Sequence, residues 1–430
     1  MQKVLILTYY WPPGSGAGVQ RWLKFSKYLP QYGWEPVIIT VDPDFAAFPV
    51  TDFSLISEVP DNLVVHKTKA RDYFRFYKKN KSEIPSAGFA ADDGKGLYSL
   101  FSRFIRGNFF IPDPRRGWNR FAFKKACEII EYHKINNLIT TSPPHSTQLV
   151  GLKLKRKYPS INWICDLRDP WTDIYYYNEF YPTCLSYRID SCYEKKVLKS
   201  AGKIITVGKS LSEIFISKLP HLKEKIEIIS NGYDNDDFSG LNATLPENFT
   251  ISYIGTLSDK YPVTGLLQAL KKFDENKIDF RLRFTGFVSS RQKESILSAL
   301  NNSNIEFNPY ADHSIAVKSM ADSTLLLLII PDHKSSKSII TGKLFEYLAS
   351  GKPVICLGPV DGDAAEILEE CGHGKTFSYY DTRNIYEYLN FLYLNPERSN
   401  KSAPAIYARE NLVKRVVMLL EQSADRTANH

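Results

Sequence analysis

Four groups of residues in this chain combine types and spacings that suit chemistry. Within Ser338–Pro353, reading SIITGKLFEYLASGKP, the pair Gly342-Lys343 falls where a helix should begin, and Glu346 follows three residues later on the same helical side. A helix N-terminus with an adjacent lysine suits a phosphate, and a carboxylate one turn on can accept hydrogen bonds from hydroxyls. The same pattern is also that of an ordinary i,i+3 ion pair, but Leu344, Phe345, Tyr347 and Leu348 around it argue against free exposure. A second group is the loop Gly14-Ser15-Gly16-Ala17-Gly18 after the first apolar run. Its glycines allow backbone N–H groups to approach an anion, or they make a tight turn, and both readings stay open. The third, Asp166-Leu167-Arg168-Asp169, stands at the end of an apolar run, where its charges either line a site or form a local Asp–Arg network fixing the loop. The fourth comprises the Asp-x-Asp triplets Asp42/Asp44, Asp234/Asp236 and Asp361/Asp363, all in stretches with turn chemistry.

The elements that must position these groups alternate regularly. Val4–Thr8 reads as a strand, the glycine loop follows, Val19–Leu29 has helical apolar spacing, and Pro36–Val41 reads as the next strand. Strand, glycine-rich turn, helix and strand make a βαβ unit, hence a parallel sheet covered on both faces. Strands at Asn137–Thr141, Asn162–Cys165 and Ile204–Val207 continue it, with a helix at Gln148–Lys157. From Thr250 a second βα series begins, with FTISYIG, RLRFTG, NIEFNPY, STLLLLIIP and KPVICLG as strands and helices near 266–272, 343–349 and 364–369. The expected fold is therefore α/β, two Rossmann-like doubly wound domains. Their expected spans are 1–235, with an aromatic and basic insertion at 70–120, and 248–404. A terminal helix in 405–430 is expected to return to the first domain. In such folds ligands bind at the carboxyl ends of the strands.

Composition agrees with a packed protein of this kind. The chain has 430 residues, 43% hydrophobic and 24% charged, ample for two cores. No run approaches the roughly 20 apolar residues of a spanning helix, and the opening MQKVLILTYY reads as a strand rather than a signal peptide. The six cysteines form no CxxC pair and no zinc spacing, so they read as small buried hydrophobes in a reducing compartment. Residues 1–200 hold 29 Lys+Arg against 19 Asp+Glu, whereas the remainder is nearly balanced at 26 against 28. The basic half suits anionic lipid, a phosphate-bearing acceptor or nucleic acid, although no nucleic-acid module is recognisable.

The block KLFEYLASGKPVI resembles the donor-site signature of retaining glycosyltransferases of family 4, which have the GT-B fold. The glycine-rich first loop, ISNGYD (Ile229–Asp234), YIGTL (Tyr253–Leu257) and the FTG end (Phe284–Gly286) occur in that family's order. TSPPHS and DLRDPW (Asp166–Trp171) resemble a bacterial subgroup acting in surface-polysaccharide assembly. The resemblance implies a cytoplasmic, metal-independent enzyme that binds a nucleoside-diphosphate sugar as donor substrate, without cofactor. It would transfer the sugar, with retention, to a glycan or polyprenyl-diphosphate-linked acceptor. It implies donor-binding roles for Gly16, Gly18, Gly255, Thr256, Lys260, Gly286, Ser338, Thr341, Gly342, Lys343 and Glu346. Glu346 matches the second glutamate of the family's E-x7-E motif, while Ser338 stands at the first; Thr264 stands where a second lysine is usual. His145 matches a position facing acceptor and sugar, and Asp166, Arg168 and Asp169 are assigned with it to catalysis. The Asp-x-Asp triplets are read as turns and not as metal ligands.

Three other activities fit parts of this pattern: a sugar-nucleotide epimerase of the same fold, a GT-B binding module without turnover, and a nicotinamide dehydrogenase, which would need a fuller dinucleotide fingerprint. The insertion has two readings as well: a cover for the first core, or a peripheral contact with an anionic membrane through Phe101, Phe104 and Ile105 beside Arg103 and Arg106.

Overall fold

The computed structural model describes residues 1–46, 48–73, 97–240, 246, 248–300, 302–396 and 401–428. Its contacts divide the chain into two compact units, Met1–Ser230 with Arg409–His430, and Asn231–Ala408.

Unit 1 is built on strands β1 (Gln2–Leu7), β2 (Trp34–Val41), β3 (Val64–Thr68), β4 (Asn137–Ser142), β5 (Asn162–Leu167), β6 (Lys203–Thr206) and β7 (Ile226–Ile228). They form one seven-stranded sheet in the order β3-β2-β1-β4-β5-β6-β7. All pairs are parallel; Val4 of β1 registers with Pro36 of β2 on one side and Asn137 of β4 on the other. The helices are α1 (Ala17–Tyr28), α2 (Leu97–Phe109), α3 (Asn119–His133), α4 (Ser146–Lys157), α5 (Cys184–Ser200) and α6 (Lys209–Lys218). Because strand side chains alternate, each central strand feeds two cores. Leu5, Leu7, Val37 and Ile39 pack with Ala122, Ala126 and Ile130 of α3, whereas Val4, Ile6, Ile38 and Ile139 pack with Trp22, Leu23 and Phe25 of α1. The terminal helix Arg409–Ala428 adds Val413, Val416 and Leu420 to the second core.

Unit 2 repeats the plan with β8 (Phe249–Ile254), β9 (Phe280–Thr285), β10 (Ile305–Asn308), β11 (Leu325–Ile329), β12 (Val354–Leu357) and β13 (Gly374–Phe377). Its six strands run in the order β10-β9-β8-β11-β12-β13, again all parallel. The helices are α7 (Thr264–Glu275), α8 (Ser290–Ala299), α9 (His313–Ala321), α10 (Gly342–Ala349), α11 (Asp363–Cys371) and α12 (Thr382–Leu394), and the terminal helix of unit 1 is α13. Ile251, Leu282, Leu325 and Leu327 face the α7 and α12 side, while Leu326, Leu328, Val354 and Cys356 pack with Leu344, Phe345 and Leu348 of α10.

Two strands gave no signal in the sequence. β3 and β13 are edge strands with few buried residues; Thr68 is the buried residue of β3, and Phe377 that of β13. An edge strand with one wet side lacks the continuous apolar run by which buried parallel strands are recognised. The helix expected from Val19 begins instead at Ala17, and a turn of 3-10 helix at Leu29–Tyr32 separates it from Gly33. Of the aromatics expected in the insertion, Phe74, Phe76 and Tyr77 lie outside the described residues. The rest divide. Trp118 is fully buried and donates from Nε1 to Thr68 Oγ1 at 2.8 Å, whereas Phe101 and Phe109 are 61% and 68% exposed. Three cysteines, Cys127, Cys165 and Cys356, are buried as expected; Cys184 and Cys192 are instead exposed on α5. Among the described residues no helix is long and apolar enough to cross a membrane.

Candidate active site

The strongest constellation lies at the carboxyl end of β8. After Ile254 the chain enters Gly255 at φ +122°, and after Thr285 it enters Gly286 at φ +121°, a backbone region that residues with a Cβ rarely adopt. The Gly255 N–H donates to Thr285 O at 2.7 Å, and a Cβ on Gly286 would lie 2.4 Å from Gly255 O. Both glycines are thus needed for the two strand ends to meet. Space above Gly255 is taken by Lys343, whose Nζ would be 2.9 Å from a Cβ at that glycine.

Lys343 belongs to the first turn of α10, whose N-cap Thr341 makes no side-chain cap and whose first turn has no acidic residue. Thr341 Oγ1 is buried without a partner. Lys343 Nζ donates to Tyr253 Oη at 3.1 Å and lies 4.2 Å from the centre of that ring. Burial pulls its pKa down from 10.5 to about 8, with the Glu346 charge opposing. The ammonium is therefore partly stripped of water and held by a neutral hydroxyl, so that a bound anion would restore what burial removes. Tyr347, next along α10, accepts at Oη from Ile254 N–H at 3.2 Å, tying helix to strand. The structure brings together Gly255, Thr256, Gly286, Thr341, Gly342 and Lys343, with Glu346 one turn along the helix. Ser338 lies in the turn before α10, where its hydroxyl donates to Ser335 O at 2.9 Å. Lys260 follows β8, and its carbonyl accepts from Asp332 N–H at 3.0 Å.

Unit 1 uses its charges differently. Asp166, the penultimate residue of β5, is fully buried. Its carboxylate accepts from Arg21 Nη2 at 3.1 Å, Trp22 Nε1 at 2.7 Å and Thr141 Oγ1 at 2.8 Å. Arg21 also donates to the Ser230 and Ile229 carbonyls at 2.6 and 2.9 Å. The local Asp–Arg network is real, but its arginine is Arg21 from α1 and not Arg168. Its hydrogen-bonding positions are thus taken up inside the core. Arg168 lies instead against Gly18, where a Cβ would come within 2.3 Å of Nη2, and its Nε is buried without a partner. Gly16 and Gly18, grouped with the donor residues in sequence, are at the start of α1 in unit 1. Asp169 follows Arg168; burial raises its carboxyl pKa, and Arg168 opposes the rise.

His145 precedes α4 and stacks on Trp171, ring centres 4.9 Å apart and planes within 9°. Both ring nitrogens are buried without partners. Burial, with Arg168 and Lys218 adding to it, lowers its pKa to about 3, so the imidazole is neutral at ordinary pH. Trp171 Nε1 donates to Asp190 at 2.7 Å and Tyr177 Oη to the same carboxylate at 3.0 Å; burial raises the Asp190 pKa to about 6. His145, Trp171, Asp190, Tyr10 and Arg106 border a cavity of about 60 Å³. That is room for water, far below the roughly 300–1,000 Å³ of a drug-sized ligand.

The Asp-x-Asp triplets do turn work. Asp42 accepts from Asp44 N–H at 3.0 Å and Asp234 from Asp236 N–H at 3.3 Å, and Asp361 pairs with Lys337. Among the described residues no group of three or more His, Cys, Asp or Glu side chains is arranged to hold a metal ion. Sequence reasoning missed Tyr253, Arg21, Trp22 and Trp171. Tyr253 reads as one more core residue of an apolar strand, and the Asp166 partners come from α1 and β4, remote in sequence.

Comparison with protein-family models and with curated proteins finds no match. Among solved structures, the chain is similar to a sucrose-phosphate synthase from Thermosynechococcus elongatus, with 12% identity, TM-score 0.63, and 98% of this chain and 99% of that one covered. It is similar to the Anabaena HepE protein in complex with UDP and glucose, with 14% identity, TM-score 0.56 and both chains covered in full. A putative UDP-N-acetylglucosamine 2-epimerase from Listeria monocytogenes matches at 11% identity and TM-score 0.55, covering 99% of this chain and 97% of that one. At such identities the likeness is one of fold. The seven- and six-stranded parallel sheets with interleaved helices are those of the GT-B fold, two Rossmann-like domains in one chain.

Proposed function

We propose that this protein is a glycosyltransferase that takes a sugar from a nucleoside-diphosphate sugar and transfers it, with retention, to a glycan or polyprenyl-diphosphate-linked acceptor in bacterial surface-polysaccharide synthesis. The observation that carries the reading is Lys343: a partly desolvated ammonium above Gly255, at the carboxyl end of β8 and the uncapped start of α10. That is where a doubly wound domain binds phosphate. The donor diphosphate sits on Lys343 and the first-turn N–H groups of α10, with Gly255, Thr256 and Gly286 giving the backbone its close approach. Glu346 takes the ribose hydroxyls, and Lys260 and Ser338 border the donor. The structural likeness to a protein crystallised with UDP and glucose supports this donor class.

In the reaction the bond from the anomeric carbon to the diphosphate oxygen breaks and a bond to the acceptor oxygen forms on the same face. The acceptor proton passes to the leaving diphosphate. Negative charge grows on the leaving group, and Lys343 with the α10 amides stabilises it without rearrangement, which suits a metal-independent, cofactor-free transfer. On unit 1 the acceptor is bound near His145, Arg168 and Asp169. A neutral His145 positions hydroxyl groups and is not the base. A nucleotide-sugar donor places the enzyme in the cytoplasm. The exposed Phe101 and Phe109 of α2, in the basic half of the sequence, fit peripheral docking on an anionic membrane carrying a lipid-linked acceptor. Absence of co-sedimentation with anionic liposomes would remove that part.

The experiment for the whole reading is calorimetric binding and thermal stabilisation with UDP, GDP, ADP, dTDP and NAD. Selective binding of one nucleoside diphosphate is expected; preference for NAD, or no binding, contradicts it. An epimerase is the second reading, favoured by the likeness to the Listeria protein. It is separated by products: an epimerase converts the nucleotide sugar with no acceptor present, and the transferase releases nucleoside diphosphate only with one.

A further inference from the structure

Tyr253 is buried on the core face of β8, its ring tilted against Phe284 with centres 6.2 Å apart. A phenylalanine would fill that place equally well, so packing does not account for the hydroxyl. The hydroxyl has two partners. It donates to Thr256 O at 2.7 Å, and it accepts from Lys343 Nζ at 3.1 Å. Because its only proton is committed to a carbonyl, the lone pair is left to face the ammonium, and the orientation is not reversible. The ring adds attraction at 4.2 Å from its centre. A hydroxyl partner, unlike a carboxylate, adds no counter-charge beyond that of the nearby Glu346.

Resting on the donor reading above, we propose that Tyr253 is a positioning residue for the donor diphosphate, its Thr256-anchored hydroxyl fixing the Lys343 ammonium above Gly255. It touches no substrate and acts through Lys343. A lysine side chain carries about 2 kcal/mol of rotamer entropy, so holding it in place before the ligand arrives is worth a measurable part of that affinity.

The test is a double-mutant cycle of Tyr253→Phe and Lys343→Met on the full chain, read as calorimetric affinity for whichever of UDP, GDP, ADP and dTDP binds the wild type most tightly. Tyr253→Phe is expected to weaken binding about five- to tenfold, about 1–1.4 kcal/mol by the tenfold conversion, while melting within a few degrees of the wild type. In the Lys343→Met background it should weaken binding no further, because the route runs through the ammonium. Unchanged affinity in Tyr253→Phe, or equal losses in both backgrounds, overturns the proposal. So does a Tyr253→Phe protein that melts far below wild type, which would make the hydroxyl structural. If no diphosphate binds the wild type, the donor reading itself has failed. If Lys343→Met weakens binding while Tyr253→Phe does not, only the role of Tyr253 has.

Discussion

The carboxyl ends of β5 and β8 lie in two parallel sheets of the same design, yet the charges beside them are spent in opposite ways. Asp166 at the first is sealed from water and satisfied by Arg21, Trp22 and Thr141. Lys343 beside the second faces a tyrosine hydroxyl, a glycine and an uncapped helix start. A charge with its partners already in the core holds strands and helices together; one desolvated and hydrogen-bonded to a neutral hydroxyl is poised for a ligand. The contrast teaches that a charged residue at a strand's carboxyl end is a candidate for function only after its partners have been counted.

Breaking each side separates the roles. Asp166→Ala should cost the most stability, about 3–5 kcal/mol, because Arg21 is left buried without its counter-charge. The urea-denaturation midpoint of unit 1 checks this, and a loss under 1 kcal/mol would mean that the network is not structural. Gly286→Ala should cost about 1–3 kcal/mol through overlap with the Gly255 carbonyl. It should also weaken nucleotide binding, since the same backbone cradles Lys343. A variant that keeps wild-type melting and affinity would show that the strand ends are not tightly coupled.

A third effect is in pH. His145 has its pKa lowered from 6.5 to about 3, so the unfolded chain takes up this proton before the folded one does. Stability from this group is present above pH 6.5 and is lost as pH falls towards 3. Asp190, raised from 3.8 to about 6, works the other way in an overlapping window, losing stability as pH rises from 3.8 to 6. His145→Gln should therefore resist acid better than the wild type between pH 6.5 and 3, by thermal melting across that range. Parallel curves would mean that His145 is not buried neutral.

Much of this was legible in the sequence, for definite reasons. The central strands carry unbroken apolar runs such as Leu325–Ile330, and α10 announces itself by Gly342-Lys343 before an apolar helix. The doubly wound architecture follows from that alternation. β3 and β13 escaped because each has a single buried residue and no apolar run of the kind that marks the central strands. The partnership of Asp166 with Arg21 escaped because it joins residues 145 positions apart, which no local pattern reveals. Arg168, two residues away in sequence, was the natural guess, yet its side chain turns to Gly18. Tyr253 escaped for another reason: in an apolar strand the hydroxyl counts for nothing until its partners are seen.

The central claim is that Lys343 is the diphosphate ligand of a nucleotide-sugar enzyme. Its most direct test is calorimetric titration of wild type and Lys343→Met with the nucleoside diphosphate that the wild type prefers, alongside thermal melting. A lost charge-assisted contact is worth about 1.5–3 kcal/mol, so binding should weaken roughly 10- to 100-fold. Melting should hold or rise, because a desolvated amine has been removed. Undiminished affinity in Lys343→Met, or a collapse of its stability, would contradict the account and return Lys343 to the architecture, alongside Asp166.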